Sequence, residues 1–289
     1  MQKSKRHHLV PRLYLKYFSI NGKQTYAYIK NLDECKLVSI KDVAVKENFY
    51  TVGHKNIEPH YIESYLSSHI EPLLKKGIEG IIQYVNDKTE SLNLHDICRS
   101  IICQYYRGSD FRDEANAIAN IRANIFMTLF SSGTIASDFP QNANHSLEHA
   151  YETFLNETLI KEKINQILDF SEWSIMTSNQ CHFITSDRPV LSFFLNHHNK
   201  QTYYTKTDIG TPSSYILMAI TPNILLQISI GDKLHAERDN TAHKPAIVSV
   251  DADYVQSVNY LQQLNYNEHL YGKYEFYPII DDYTIDSES

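Results

Sequence analysis

The chain has 289 residues, with 27 Lys and Arg against 34 Asp and Glu, a formal net charge of -7. That balance excludes a dedicated duplex-binding surface, which needs clustered cations to neutralise phosphates. No apolar run approaches the roughly 18 residues that span a bilayer, and four widely spaced cysteines with no C-x-x-C pair exclude a disulfide framework or a zinc ribbon.

In chain order, Lys3-Ser4-Lys5-Arg6 is a small basic cluster directly before the pair His7-His8. Tyr26–Lys30 and Lys36–Ile40 read as short strands joined by the polar turn Asn31–Glu34, a hairpin. Asn48–Val52 reads as a further extended piece, ended by Gly53. From Glu58 the period changes: Ile62, Leu66, Ile70, Leu73, Leu74, Ile78, Ile81 and Ile82 mark one buried helical face, bent or interrupted at Glu71 by Pro72. A second helix opens at Asn93 or His95 and runs to Tyr105, and a third runs from about Ser109-Asp110 to Gly133. A polar loop, Ile135 to Asn144, precedes a fourth helix from about Ser146 to Phe170.

The second half is β-rich. Trp173–Thr177, Phe183–Ser186, Tyr215–Ile220 and Ile224–Ile228 have strand length and strand composition, while residues 196 to 213 read as a polar excursion, a lid or a long loop. A closing helix spans about Asp251 to Leu270, with Val255, Val258, Leu261 and Leu264 as its apolar residues. The fold class is therefore α+β: a small N-terminal β-hairpin, a central helical bundle over about 58–170, and a mainly antiparallel sheet over about 173–250 with its closing helix. Without repeats or a low-complexity linker, residues 1–289 read as a single cytoplasmic domain.

Several motifs could carry chemistry. His7-His8 supplies imidazoles for metal binding or proton transfer, although adjacent strand residues face opposite sides and only one easily enters a given pocket. Asp187 in Thr185-Ser186-Asp187-Arg188-Pro189 follows a strand, where ligand-binding groups often sit, or simply anchors a turn. Arg107 ends an apolar helix, where it serves the helix dipole or holds an anion with its planar fork. Glu58, Glu63 and Glu71 are ordinary acids for the front of a helix. His145-Ser146-Leu147-Glu148-His149 matches the short H-x-x-E-H metalloprotease pattern. There is no Walker loop, G-x-G-x-x-G, G-x-S-x-G or H-E-x-x-H.

Together, the run His7-His8-Leu9-Val10-Pro11-Arg12-Leu13-Tyr14-Leu15-Lys16-Tyr17-Phe18, then Asn48-Phe49-Tyr50, Tyr61-Ile62-Glu63, Gln104-Tyr105-Tyr106-Arg107, Phe183 to Val190, and Val258 to Tyr271 resemble, in order and spacing, the bacterial domain-of-unknown-function 4238 family. The resemblance covers about residues 6 to 272, and the H-x-x-E-H stretch is not among its motifs. It implies no established activity. What it contributes is a set of shared polar positions: His7, His8, Arg12, Glu63, Gln104, Arg107 and Asp187. A fold has little need for such groups at fixed points, so their convergence in one cleft would mark a site.

The expectation drawn from that set is a phosphodiester hydrolase, nuclease-like. His7, His8, Glu63 and Asp187 would be catalytic. Arg12, Gln104 and Arg107 would bind substrate, a nucleic acid or another phosphate-containing ligand. A divalent metal ion would sit on His8, Glu63 and Asp187, or a metal-free variant would use a His as general acid or base. The alternative is a non-catalytic binding or interaction protein, with a protein partner, in bacterial phage defence, and a small-molecule site lined by tyrosines is a third option. There the polar set is a buried network that fixes the N-terminal segment. No membrane association is expected.

Overall fold

The computed structural model describes residues 6–50, 60–87, 91–108, 157–198, 201–231 and 244–278. The third predicted helix, the start of the fourth, the 135–144 loop, the H-x-x-E-H stretch and Glu58 lie outside the described residues.

The architecture is α+β. Strand β1 (Arg6–His8) is followed by the short helix α1 (Arg12–Leu15), the hairpin β2 (Gln24–Ile29) and β3 (Glu34–Ser39), and β4 (Val45–Glu47). Helices α2 (Tyr61–Tyr65), α3 (Glu71–Asp87), α4 (Leu94–Tyr106) and α5 (Glu157–Phe170) form the helical middle. Strands β5 (Ser171–Thr177), β6 (Thr185–Ser186), β7 (Val190–His198), β8 (Gln201–Lys206), β9 (Tyr215–Thr221), β10 (Ile224–Ile230) and β11 (Ala246–Ser249) follow, then α6 (Ala252–Asn265) and β12 (His269–Gly272).

Among the described residues the strands build three sheets: β1-β4, β11-β5-β10-β9-β7-β8, and β3-β2-β12-β6. Among the described residues only the β11-β5 pairing is parallel. The predicted hairpin is present, and the chain's C-terminal part completes its sheet, Tyr28 pairing with Leu270 and Tyr271 with Thr185.

Three sequence expectations need correction. Asn48–Tyr50 is turn rather than strand: β4 ends at Glu47, and Asn48 turns the chain at φ +53, a left-handed conformation that Asn tolerates, while Thr51, Val52 and Gly53 lie outside the described residues. The polar excursion 196–213 is largely a hairpin, β7 paired with edge strand β8 from Phe193↔Lys206 to His198↔Gln201. An edge strand faces water, so its polar composition mimics a loop. The closing helix stops at Asn265 rather than Leu270, and residues 269–272 become β12.

Helix ends follow capping chemistry. Asn93 accepts from the Asp96 N–H at 3.1 Å and starts α4, and Asp251 accepts from the Tyr254 N–H at 2.9 Å and starts α6. Between α2 and α3 the helix does not break; it widens into a π-helical turn over Leu66–Ile70. The sequence explains the widening. Buried Ile62, Leu66, Ile70, Leu74 and Ile78 recur at strict four-residue spacing, and each such step overshoots a full α-turn by about 40°. Over four steps the stripe would drift by roughly 160°, and an i→i+5 turn takes back about one residue's 100°. Pro72, which has no N–H to return to residue 68, follows directly.

One contiguous buried cluster runs from Leu9 and Tyr14 through the helices to Ile175, Leu217 and Leu226 of the large sheet. The four cysteines are free thiols. No helix of the described residues is long and apolar enough to cross a membrane.

Candidate functional site

The site is built around Arg107, the residue that caps the C-terminus of α4. Its backbone does the ordinary work there, donating to the Gln104 carbonyl. Its side chain does not face solvent. It is 2% exposed, donates from Nε to the His8 carbonyl at 3.0 Å and from Nη1 to Glu71 Oε1 at 2.9 Å, and lies over the Tyr50 ring at 5.9 Å. Burial alone would depress this guanidinium, but Tyr50, Glu71 and Glu63 outweigh it and hold its pKa above the ordinary value. It is a fixed positive charge.

β1 supplies two imidazoles to this centre. His7 is fully buried, stacked on Tyr50 at 5.6 Å and edge-on to His60 at 5.8 Å. The Tyr50 backbone N–H donates to His7 Nδ1 at 2.8 Å. A backbone N–H can only donate, so Nδ1 carries no proton and the neutral ring carries its proton on Nε2. Burial, with His60 and Arg107 nearby, lowers the His7 pKa and keeps it in that form. His8 is half-buried, and burial together with Arg107, Arg12 and Arg6 lowers its pKa from 6.5 to about 4.

The π-helical turn brings two acids to the same place. Residues 63 and 71 on a continuous α-helix would be about 80° apart around the axis, whereas an intervening i→i+5 turn returns them to nearly the same face. Both carboxylates act on Arg107: Glu71 by its ion pair and Glu63 by charge. Burial raises the Glu63 pKa, Arg107 opposes the rise and Glu71 adds to it.

Among the described residues, five polar atoms here are buried with no hydrogen-bond partner: His7 Nε2, His8 Nε2, His60 Nδ1, Glu63 Oε2 and Arg107 Nη2. Unsatisfied buried groups each cost roughly 1–3 kcal/mol, and they are rare in folded proteins unless a ligand or ordered water meets them. His7, His8 and Glu63 each feel the charge of Arg107, and His60 lies edge-on to His7; that linkage is what defines the site.

Of the residues singled out from the sequence, His7, His8, Glu63 and Arg107 come together here. Gln104 is buried beside them, donating to the Leu9 carbonyl at 3.0 Å; it holds the N-terminal segment. Arg12 is exposed and reaches the cluster through its charge on His8. Asp187 has a different place: its carboxylate accepts from the backbone N–H groups of Asn267 (2.9 Å), Glu268 (2.7 Å) and His269 (3.2 Å). It clamps the turn between α6 and β12. Among the described residues no group of three or more His, Cys, Asp or Glu is arranged to hold a metal ion, and that includes His8, Glu63 and Asp187.

Sequence reasoning missed three members. Glu71 has a usable signal, its position eight residues after Glu63 and just before a proline. Tyr50 has a weak one, its place in the Asn48-Phe49-Tyr50 motif, and His60 has none, because only the tertiary fold brings it edge-on to His7.

The chain matches the family model described as "Protein of unknown function (DUF4238)" over residues 6–275. It belongs to that family, and every residue of the cluster lies within the matched span. No curated protein and no solved structure matches the chain.

Proposed function

We propose that this chain is a phosphodiester hydrolase, nuclease-like, that works by general acid–base catalysis around Arg107. The observation that carries the reading is the set of five buried, unpartnered polar atoms on His7, His8, His60, Glu63 and Arg107. Arg107 Nη2 and the His7 Nε2–H are donors for two non-bridging phosphoryl oxygens. Glu63, with its pKa raised by burial, takes a proton from the attacking water. The water oxygen bonds to phosphorus, the ester bond opposite breaks, and the leaving oxygen collects a proton from His60.

The test is hydrolysis of bis(4-nitrophenyl) phosphate and of single-stranded DNA and RNA in the presence of EDTA. The reading predicts turnover that survives EDTA and falls by about 10²–10⁴-fold in Glu63→Gln. Absence of turnover on all of these substrates, or turnover indifferent to Glu63, overturns it.

A second reading has its own support. Gln104 and Arg107 hold the Leu9 and His8 carbonyls, so part of the polar set staples β1 to α4, as a non-catalytic binding protein requires. In that case His7→Ala lowers the melting temperature and no phosphodiester raises it.

A further inference from the structure

Between α6 and the chain that follows β12 the structure contains a cleft of about 340 Å³, at the small end of ligand pockets. One wall is the face of α6 that carries Gln256, Asn259 and Gln263. The other is made by residues 182–184, which lead into β6, and by residues 273–277 beyond β12. None of these residues belongs to the Arg107 cluster.

The walls are held by contacts of their own. Asn259 accepts from the Ile184 N–H at 3.0 Å and donates to the His182 carbonyl at 2.9 Å, which ties α6 to the segment across the cleft. β12 ends in Gly272, where a Cβ would stand 2.8 Å from the Phe276 ring. Glycine therefore lets that ring lie directly on the β12 backbone, packed against the cluster of Tyr28, Ile184 and Leu270. Phe183, Ile184 and Phe276 give the cleft an apolar surface, and His182 stacks on Tyr274 with ring centroids 4.5 Å apart.

The polar groups divide into those already engaged and those left over. Lys273 lies over the Tyr274 ring at 5.8 Å, and Glu275 accepts from the Tyr277 hydroxyl at 3.2 Å. Both ends of the Asn259 amide are used. His182 Nδ1, by contrast, is buried with no hydrogen-bond partner, a cost that a ligand would relieve. Among the described residues the amides of exposed Gln256 and half-buried Gln263 have no partner either. They stand seven residues apart, two turns and about 10 Å along one face of the helix. What remains for a ligand is an apolar surface flanked by uncharged amides and one imidazole nitrogen. That combination suits a flat heteroaromatic ring, whose faces are apolar and whose edge carries fixed donors and acceptors. A glutamine amide, with donor and acceptor side by side, complements adenine, where N7 accepts and the N6 amino group donates. It mismatches guanine, where N7 and O6 both accept.

We propose that this cleft is a nucleobase site that takes an adenine ring, its face on Phe276 and its edge on an α6 glutamine amide and His182 Nδ1. The site does not depend on the hydrolytic reading of the Arg107 cluster, and a nucleoside without phosphate suffices to fill it.

Calorimetric titration of the full chain with adenosine, guanosine and purine riboside (adenosine without its 6-amino group) tests it. Adenosine is expected to bind, and the other two to bind about tenfold more weakly. The double variant Gln256→Ala, Gln263→Ala leaves a strong helix former at both positions and should lose about tenfold in adenosine affinity. His182→Phe keeps a ring against Tyr274 while removing Nδ1, and should weaken adenosine severalfold. Glu63→Gln should leave the affinity within twofold. Absence of adenosine binding at millimolar concentration overturns the proposal, as does guanosine or purine riboside bound as tightly as adenosine. So does an affinity unchanged in the glutamine double variant, which keeps the test decisive if His182→Phe fails to fold, or one lost in Glu63→Gln.

Discussion

At the scale of single residues, the behaviour of Arg107 and His8 follows from their surroundings. Arg107 is a buried cation whose carboxylate partner, Glu71, is about one-fifth exposed. Arg107→Met is therefore expected to cost about 3–5 kcal/mol, because it leaves Glu71 without its partner and the His8 carbonyl without a donor. Adding Glu71→Gln should recover part of that loss, and urea unfolding of the two single variants and the double measures the coupling. His8 predicts a pH effect. Its folded pKa, about 4, lies below the 6.5 of the free side chain, so between these values the unfolded chain binds the extra proton. Stability is then fully present above about pH 6.5 and is lost as pH falls towards 4. With allowance for solvent screening at a half-buried ring, the loss is on the order of 2 kcal/mol. Burial raises the Glu63 pKa, which works in the opposite sense at the acid end of that window. His8→Gln should flatten the melting-temperature profile between pH 6.5 and 4; a profile identical to the parent's would contradict the assigned burial of the ring.

At the scale of elements, what could be read from the sequence was whatever is local. The β2-β3 hairpin, the Asn93 cap of α4 and the Asp251 cap of α6 depend on residues a few positions apart, and each is where the pattern puts it. The failures are non-local. β8 hides behind an edge strand's polar composition, and β12 exists because β2 and β6 flank it. α6 misled for a different reason: its buried face continues through Gln262 and Asn265, while Leu264 is 43% exposed. Those amides are buried because they have partners, Gln262 on the Ser186 hydroxyl and the Arg188 carbonyl and Asn265 on the Leu261 carbonyl. Asp187 tests this part of the fold. Asp187→Asn replaces an acceptor-only carboxylate with an amide that presents a donor to three N–H groups, a cost of about 1–3 kcal/mol. Amide hydrogen exchange should quicken at Leu270 and Tyr271, the β12 residues that pair with β6, and stay unchanged in α4.

Across the whole molecule, the N-terminal segment is the part that joins everything else. Tyr14 on α1 is fully buried, and its hydroxyl meets Thr185 of the four-stranded sheet at 2.8 Å and the Ala219 carbonyl of the six-stranded sheet at 2.6 Å. Tyr14→Phe should cost about 1–3 kcal/mol in thermal or urea unfolding, since it strands a buried carbonyl and a buried hydroxyl. The candidate site uses the same segment: β1 lies between the turn at Asn48, the π-widened helix and the end of α4, and each contributes a group to it. That is why the site was only partly legible in the sequence. His7, His8, Glu63 and Arg107 could be named as residue types with a use, but their meeting, and the exclusion of Asp187 from it, depends on how three distant segments pack.

The most direct check of the central claim, that the unpartnered atoms around Arg107 receive an oxyanion, is a crystal soaked with tungstate and measured for anomalous scattering. The account predicts a peak within hydrogen-bond reach of Arg107 Nη2 and His7 Nε2, lost in Arg107→Met. Tungstate bound elsewhere on the protein, with water alone at the Arg107 cluster, would contradict it.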